Sequence, residues 1–138
     1  MYTQISPSSD HTFSLGQKLG KALECGSVIV LTGSLGSGKT CLTKGLVNGI
    51  NGYPADRVTS PAFSLVNEYI VNEDPKIVYH MDFYRLDFAS AEDIEMLREY
   101  LTNSNAITII EWGERFIQAL THDYIAVSLE FLEDDESR

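Results

Sequence analysis

Very little in this sequence could serve as covalent or metallic reinforcement. It has two cysteines, Cys25 and Cys41, with no metal-ligand spacing and too few for a disulfide framework. Both are expected to be reduced thiols in the core. No apolar run approaches the roughly 20 residues of a membrane span, and no stretch reads as a linker or an internal repeat. The opening MYTQISPSSDHTF lacks the basic start and apolar segment of a secretory leader. A soluble, cytoplasmic chain with no membrane association is the expectation. Basic residues are scarce too: 10 against 20 acidic ones, for a net charge of −10. Part of that excess sits in EFLEDDESR, residues 130–138, which reads as an acidic tail free to fray. A surface this acidic is unsuited to gripping DNA or RNA broadly, while a basic partner protein remains open. What is present is ordinary globular material, 43% apolar and 22% charged over 138 residues. That suits one domain spanning residues 1–138, large enough to bury a core without staples.

The apolar spacing predicts alternating elements. Phe13, Leu15, Leu19, Ala22 and Leu23 fall near helical spacing in residues 10–24, with Ser9 or Asp10 as cap. A β-rich run covers residues 27–32, and a second helix follows over 40–50, stopped by Asn51-Gly52 and Pro54. FSLVNEYIV (63–71) and KIVYHMDFY (76–84), joined by NEDP, read as an antiparallel hairpin. Ser90 and Asp93 form a capping pair for a helix running to about Leu101. AITII (106–110) is a buried-type strand ending at Glu111; RFIQAL (115–120) is a short helix; YIAVSLEFL (124–132) is a last strand. Helices and strands alternate around one hairpin, which predicts an α/β domain with a mixed parallel and antiparallel central sheet flanked by helices.

Between the first strand and the second helix stands Gly33-Ser34-Leu35-Gly36-Ser37-Gly38-Lys39-Thr40, which fits G-x-x-x-x-G-K-[ST] at every fixed position. Glycines permit the positive-φ turns that aim successive N–H groups into one concavity, where phosphate oxygens can sit. The helix start, through Cys41, adds unpaired N–H donors and a positive dipole end. Lys39 supplies a point charge for the β- and γ-phosphates, and the Thr40 hydroxyl can ligate Mg²⁺. The stretch is therefore a phosphate-binding loop for a nucleoside triphosphate, and the expected fold is P-loop NTPase-like. Hydrolysis needs a further carboxylate at the metal or the attacking water. Asp82 and Glu111 both close apolar runs at strand ends that would face the ligand crevice. No D-x-x-G and no N-K-x-D occurs, which argues against a guanine-specific switch protein. A small-molecule phosphotransferase would need extra length for a lid and acceptor site; a nucleotide-gated binding module is the other alternative.

Read in order, the glycine loop, Thr59-Ser60-Pro61-Ala62-Phe63, His80-Met81-Asp82-Phe83-Tyr84-Arg85-Leu86 and Glu111-Trp112 resemble the bacterial TsaE family of ATPases over nearly the whole chain. The resemblance implies a weak ATPase that uses ATP and Mg²⁺ and works with TsaB and TsaD. That system attaches a threonylcarbamoyl group to adenosine 37 of tRNAs reading codons that begin with A, with tRNA contact by this chain expected to be indirect. It further implies that Lys39 and Thr40 keep their phosphate and magnesium roles, and that Glu111 is the metal-associated glutamate. Asp82 matches the catalytic aspartate, and Thr59 with Ser60 lies in a switch-like loop able to sense the γ-phosphate. Ser34 stands where the family usually has Asp, and Ala62 where Thr is frequent. His80 shares a strand face with Asp82 and is open to either a core or a site role.

Overall fold

The chain is described by a computed structural model that covers residues 3–33, 38–61, 66–71, 74–83, 91–112 and 123–130. Its elements run α1 (Ser9–Ala22), β1 (Val28–Gly33), α2 (Lys39–Asn51), a 3-10 turn (Ala55–Arg57), β2 (Val66–Tyr69), β3 (Ile77–Asp82), α3 (Ala91–Leu101), β4 (Ala106–Glu111) and β5 (Ile125–Leu129). The strands form one mixed sheet ordered β2-β3-β4-β1-β5. β2 pairs antiparallel with β3, as the hairpin reading required; β3, β4, β1 and β5 are parallel to one another. Ser90, the expected 115–120 helix and residues 63–65, 84 and 131–138 lie outside the described residues.

Two crossovers explain the layering. The route from β1 through α2 to β3 crosses the sheet in one direction, and the route from β3 through α3 to β4 returns. Right-handed crossovers of opposite direction place their helices on opposite faces. Alternation along the strands then divides the core. Ile29, Leu31, Val78, Ile107 and Ile109 pack with Leu42, Leu46, Val47 and Ile50 of α2. Val28, Val30, Met81 and Ile110 face the other way, against Leu97 and Leu101 of α3. All six residues of β4 are buried, as expected for a central parallel strand covered on both faces.

α1 is held against α2 by backbone proximity rather than by interdigitated side chains. A Cβ on Gly16 would lie 2.6 Å from the Leu42 carbonyl oxygen, and one on Gly20 2.5 Å from that of Leu46. Gly45 and Gly49 meet the carbonyls of Phe13 and Gln17 in the same way from the other side. Gln17 Nε2 donates to Asn48 Oδ1 at 2.8 Å across the seam. α2 ends where the sequence indicated, at Gly52 in the left-handed region with φ 78°, its N–H donating to the Asn48 carbonyl.

Two local expectations are corrected. The α1 cap is Ser8, whose hydroxyl accepts from the His11 N–H, rather than Ser9 or Asp10, which are already helical. Cys25 is exposed and Cys41 half-buried, so neither is a core thiol: Cys25 lies in the turn between α1 and β1, outside any packed face.

The α1–α2 seam yields a stability test. Gly45→Ala gains about 1 kcal/mol in helix propensity, but its methyl has a carbonyl in its path. Overpacking of this kind costs about 1–3 kcal/mol, so a net loss is expected as a lower urea midpoint. Gly52→Ala meets open space, so its expected loss of about 1–2 kcal/mol comes from the left-handed backbone alone.

Candidate functional site

The carboxyl ends of β1, β3 and β4 meet at the N-terminus of α2. Gly38 caps that helix in the left-handed region with φ 105° and, as a glycine, brings no side chain of its own to the first-turn N–H groups. Those donors and the dipole end favour an anion. Gly33 ends β1 with φ 143°. Lys39, 5% exposed, turns its ammonium back over the strand end and donates to the Gly33 carbonyl at 2.5 Å. The same Nζ lies 3.9 Å from the centroid of the Trp112 ring. Trp112 follows β4 in the left-handed region, φ 61°, with its N–H donating to the Leu31 carbonyl at 3.3 Å. Thr40 is exposed in the first turn of α2. Cys41 points its thiol at the Ser9 carbonyl of α1, 3.1 Å away, and burial raises its pKa. Only its backbone N–H is therefore available to a phosphate. Ser34, Leu35, Gly36 and Ser37 lie outside the described residues, as do Tyr84 and Arg85.

The two carboxylates are brought together by register. Asp82 on β3 pairs with Glu111 on β4, and Leu31 on β1 pairs with Glu111 on the other side. Paired residues of parallel strands share a sheet face, here the one covered by α2. Asp82 is half-buried, whereas Glu111 is 3% exposed. A carboxylate that deep needs a partner. His80 provides it, with Nε2 2.5 Å from Glu111 Oε2. Among the described residues nothing hydrogen-bonds Glu111 Oε1, so one hard oxygen at this strand end is left to serve a cation or its water.

This bond makes His80 a buried, hydrogen-bonded histidine on the strand face it shares with Asp82, with the candidate site residue Glu111 as its partner. Sequence reasoning did not find the next group along. Tyr69 of β2 sets its hydroxyl 3.1 Å from His80 Nδ1 and donates to the Thr59 carbonyl at 2.8 Å. The Thr59 N–H in turn donates to the same hydroxyl at 3.3 Å, and Asn67 Nδ2 donates to the Thr59 carbonyl at 2.9 Å. Thr59 and Ser60 are exposed, so this hold on the backbone leaves the Thr59 side chain at the surface. The hairpin register, Asn67 opposite His80, puts Tyr69 one diagonal step from the imidazole on the same face.

Comparison with known proteins fits this architecture. The family model for the threonylcarbamoyl adenosine biosynthesis protein TsaE matches residues 6–138. The chain belongs to the TsaE family. It is 38% identical over 131 residues to the tRNA threonylcarbamoyladenosine biosynthesis protein TsaE of Treponema pallidum, covering 94% of this chain and 92% of that one. It is 36% identical to the Haemophilus influenzae protein of the same name, over 96% and 84% of the two chains. The crystal structure of Bacillus subtilis YdiB superposes with a TM-score of 0.69 at 26% identity, covering 96% of this chain and 76% of that one. TsaE membership and the mixed sheet together establish a P-loop fold, and with it a nucleotide-binding architecture.

Glu111 is both a buried partner of His80 and a candidate site carboxylate, and its structural role can be measured by choice of substitution. Glu111→Ala strips a buried imidazole of its partner and should cost about 1–3 kcal/mol of stability. Glu111→Gln retains a side-chain oxygen and nitrogen for His80 and should cost less than half of that, as read by the two variants' thermal midpoints.

Proposed function

We propose that this TsaE-family chain is a slow Mg²⁺-dependent ATPase that, with TsaB and TsaD, supports threonylcarbamoylation of tRNA in the cytoplasm. The observation that carries the reading is the convergence of Lys39, Asp82 and Glu111 at one end of the sheet, beside an α2 N-terminus whose cap residue is a glycine. Lys39 is the group for the β- and γ-phosphates, and the N–H groups of residues 38–41 are donors to phosphate oxygens. Thr40 and Glu111 are the residues that would hold Mg²⁺, one through a hydroxyl and the other through a carboxylate oxygen, both hard donors. When bound, the metal supplies charge neutralisation on the phosphates. Asp82, level with Glu111 and more open, orients the attacking water or the metal's outer shell.

Thr59 and Ser60 form the switch-like segment, with the Thr59 backbone tied to the sheet through Tyr69. The chemistry ends at phosphate release; the threonylcarbamoyl transfer itself belongs to the partners. A net charge of −10 supports recognition of a basic protein surface over direct tRNA binding.

Phosphate release from Mg·ATP should be slow for the chain alone and faster with its own TsaB–TsaD pair. Lys39→Ala should lower it by at least about tenfold, the loss of one preorganised charge. Partner stimulation that the lysine variant abolishes supports the coupled ATPase. Nucleotide binding without stimulated turnover supports a nucleotide-gated module instead.

A further inference from the structure

Four groups on four separate segments lie in one unbroken row, each within hydrogen-bond distance of the next. Glu111 Oε2 on β4 meets His80 Nε2 on β3; His80 Nδ1 meets the Tyr69 hydroxyl on β2; that hydroxyl holds both the N–H and the carbonyl of Thr59. The three linking side chains are buried, His80 at 1%, Tyr69 at 3% and Glu111 at 3% exposure. Water therefore cannot readily replace a broken link. Burial also raises the Tyr69 pKa, so the phenol keeps its single proton. Two acceptors lie within reach of that proton. In the neutral tautomer that gives Nε2–H to Glu111, His80 offers Nδ1 as an acceptor, in competition with the Thr59 carbonyl. One donor shared between two acceptors makes the two ends of the chain dependent on each other.

We propose that His80 and Tyr69 are positioning residues that couple Glu111 at the metal end of the site to the backbone of the Thr59 segment. The proposal deepens the ATPase reading and rests on it for its functional meaning. If Thr59 reports on the γ-phosphate and Glu111 on the metal, the relay makes the two respond as a unit. Among the described residues neither His80 nor Tyr69 hydrogen-bonds the α2 N-terminus, so the coupling adds no phosphate contact of its own. Its effect is reciprocal, since a change at either end alters the other by the same factor. The ring of Tyr69 also packs on Tyr53, with centroids 4.8 Å apart, so Tyr69→Phe removes the hydroxyl and keeps the packing.

The test uses the full chain in two arms. In the nucleotide-free protein, amide hydrogen exchange is followed at Thr59, with the interior amides of α2 as reference. Glu111→Gln should change the Thr59 rate by about threefold or more, at the modest end of measured couplings between sites, while α2 stays unchanged. In a Tyr69→Phe background the same substitution should leave Thr59 unaffected, because the connection is cut. An unaltered Thr59 rate in Glu111→Gln, or a change that persists in Tyr69→Phe, overturns the proposal. In the second arm, Trp112 fluorescence is titrated with Mg²⁺ at saturating ATP. Tyr69→Phe should raise the Mg²⁺ needed for half-saturation by about fivefold, and the Glu111→Gln background should erase that shift. Equal shifts in both backgrounds overturn the coupling. A wild-type chain with no Mg·ATP response defeats the ATPase reading alone, and the exchange arm still decides the relay.

Discussion

A carboxylate placed on the most buried strand of the sheet cannot remain unpartnered, and the site is organised around meeting that demand. Glu111 ends a strand whose every residue is buried. Desolvation without compensation would cost several kcal/mol, so the position of His80 on the neighbouring strand is a condition of folding as well as of chemistry. The pairing fixes more than one bond. β3 and β4 are joined in the register that puts Asp82 level with Glu111 and His80 level with Ile109. A slip of one residue would turn Glu111 to the α3 face, away from Lys39, and bury it beside Val30 and Met81. Correct strand register and an assembled site are thus the same event.

The other half of the site depends on α2, whose first residue is Lys39. Its location is set by backbone contact with α1, at four glycines where any side chain would collide with a carbonyl. Side-chain packing leaves some play, since rotamers can adjust; contact between backbones leaves far less. Holding the lysine-bearing helix start through its backbone places it reproducibly against the strand ends, which a charge-positioning site requires. Glycine is costly inside a helix by about 1 kcal/mol each, and close approach is the return on that cost here.

The sequence was most informative where chemistry is local. The glycine pattern located the start of α2, Asn51-Gly52 located its end, and the alternation around NEDP located the β2–β3 hairpin. Asp82 and Glu111 were recognisable because each closes an apolar run, and the run sets the side of the sheet they reach. Nothing local announces the His80–Glu111 bond, whose partners are 31 residues apart, or the role of Tyr69, which reads as an ordinary strand aromatic. Both arise from inter-strand register, which a single sequence specifies only through the whole sheet. The four seam glycines were passed over for a related reason: spacing shows that they share helix faces, but only the packed pair of helices shows a carbonyl opposite each one. Cys25 misled because cysteine's preference for burial is an average, and a turn between α1 and β1 overrides it.

Lys39 exposes the remaining constraint on the site. A buried ammonium must be bonded in every state, and here the Gly33 carbonyl and the Trp112 ring provide for it. Trp112 takes up this place in a left-handed conformation that costs about 1–2 kcal/mol. A partly desolvated cation–π contact returns about 1–2 kcal/mol, so the arrangement comes close to balancing and is poised to yield. On the ATPase reading, a phosphate that takes up the Lys39 charge competes with these contacts, and the net affinity is the difference between the two sets of bonds. That difference weakens the grip on nucleotide compared with an unpartnered lysine, and it favours release once the γ-phosphate is gone. On that reading both properties suit a protein that turns over, and Trp112, one residue beyond Glu111, is the side chain that would confer them.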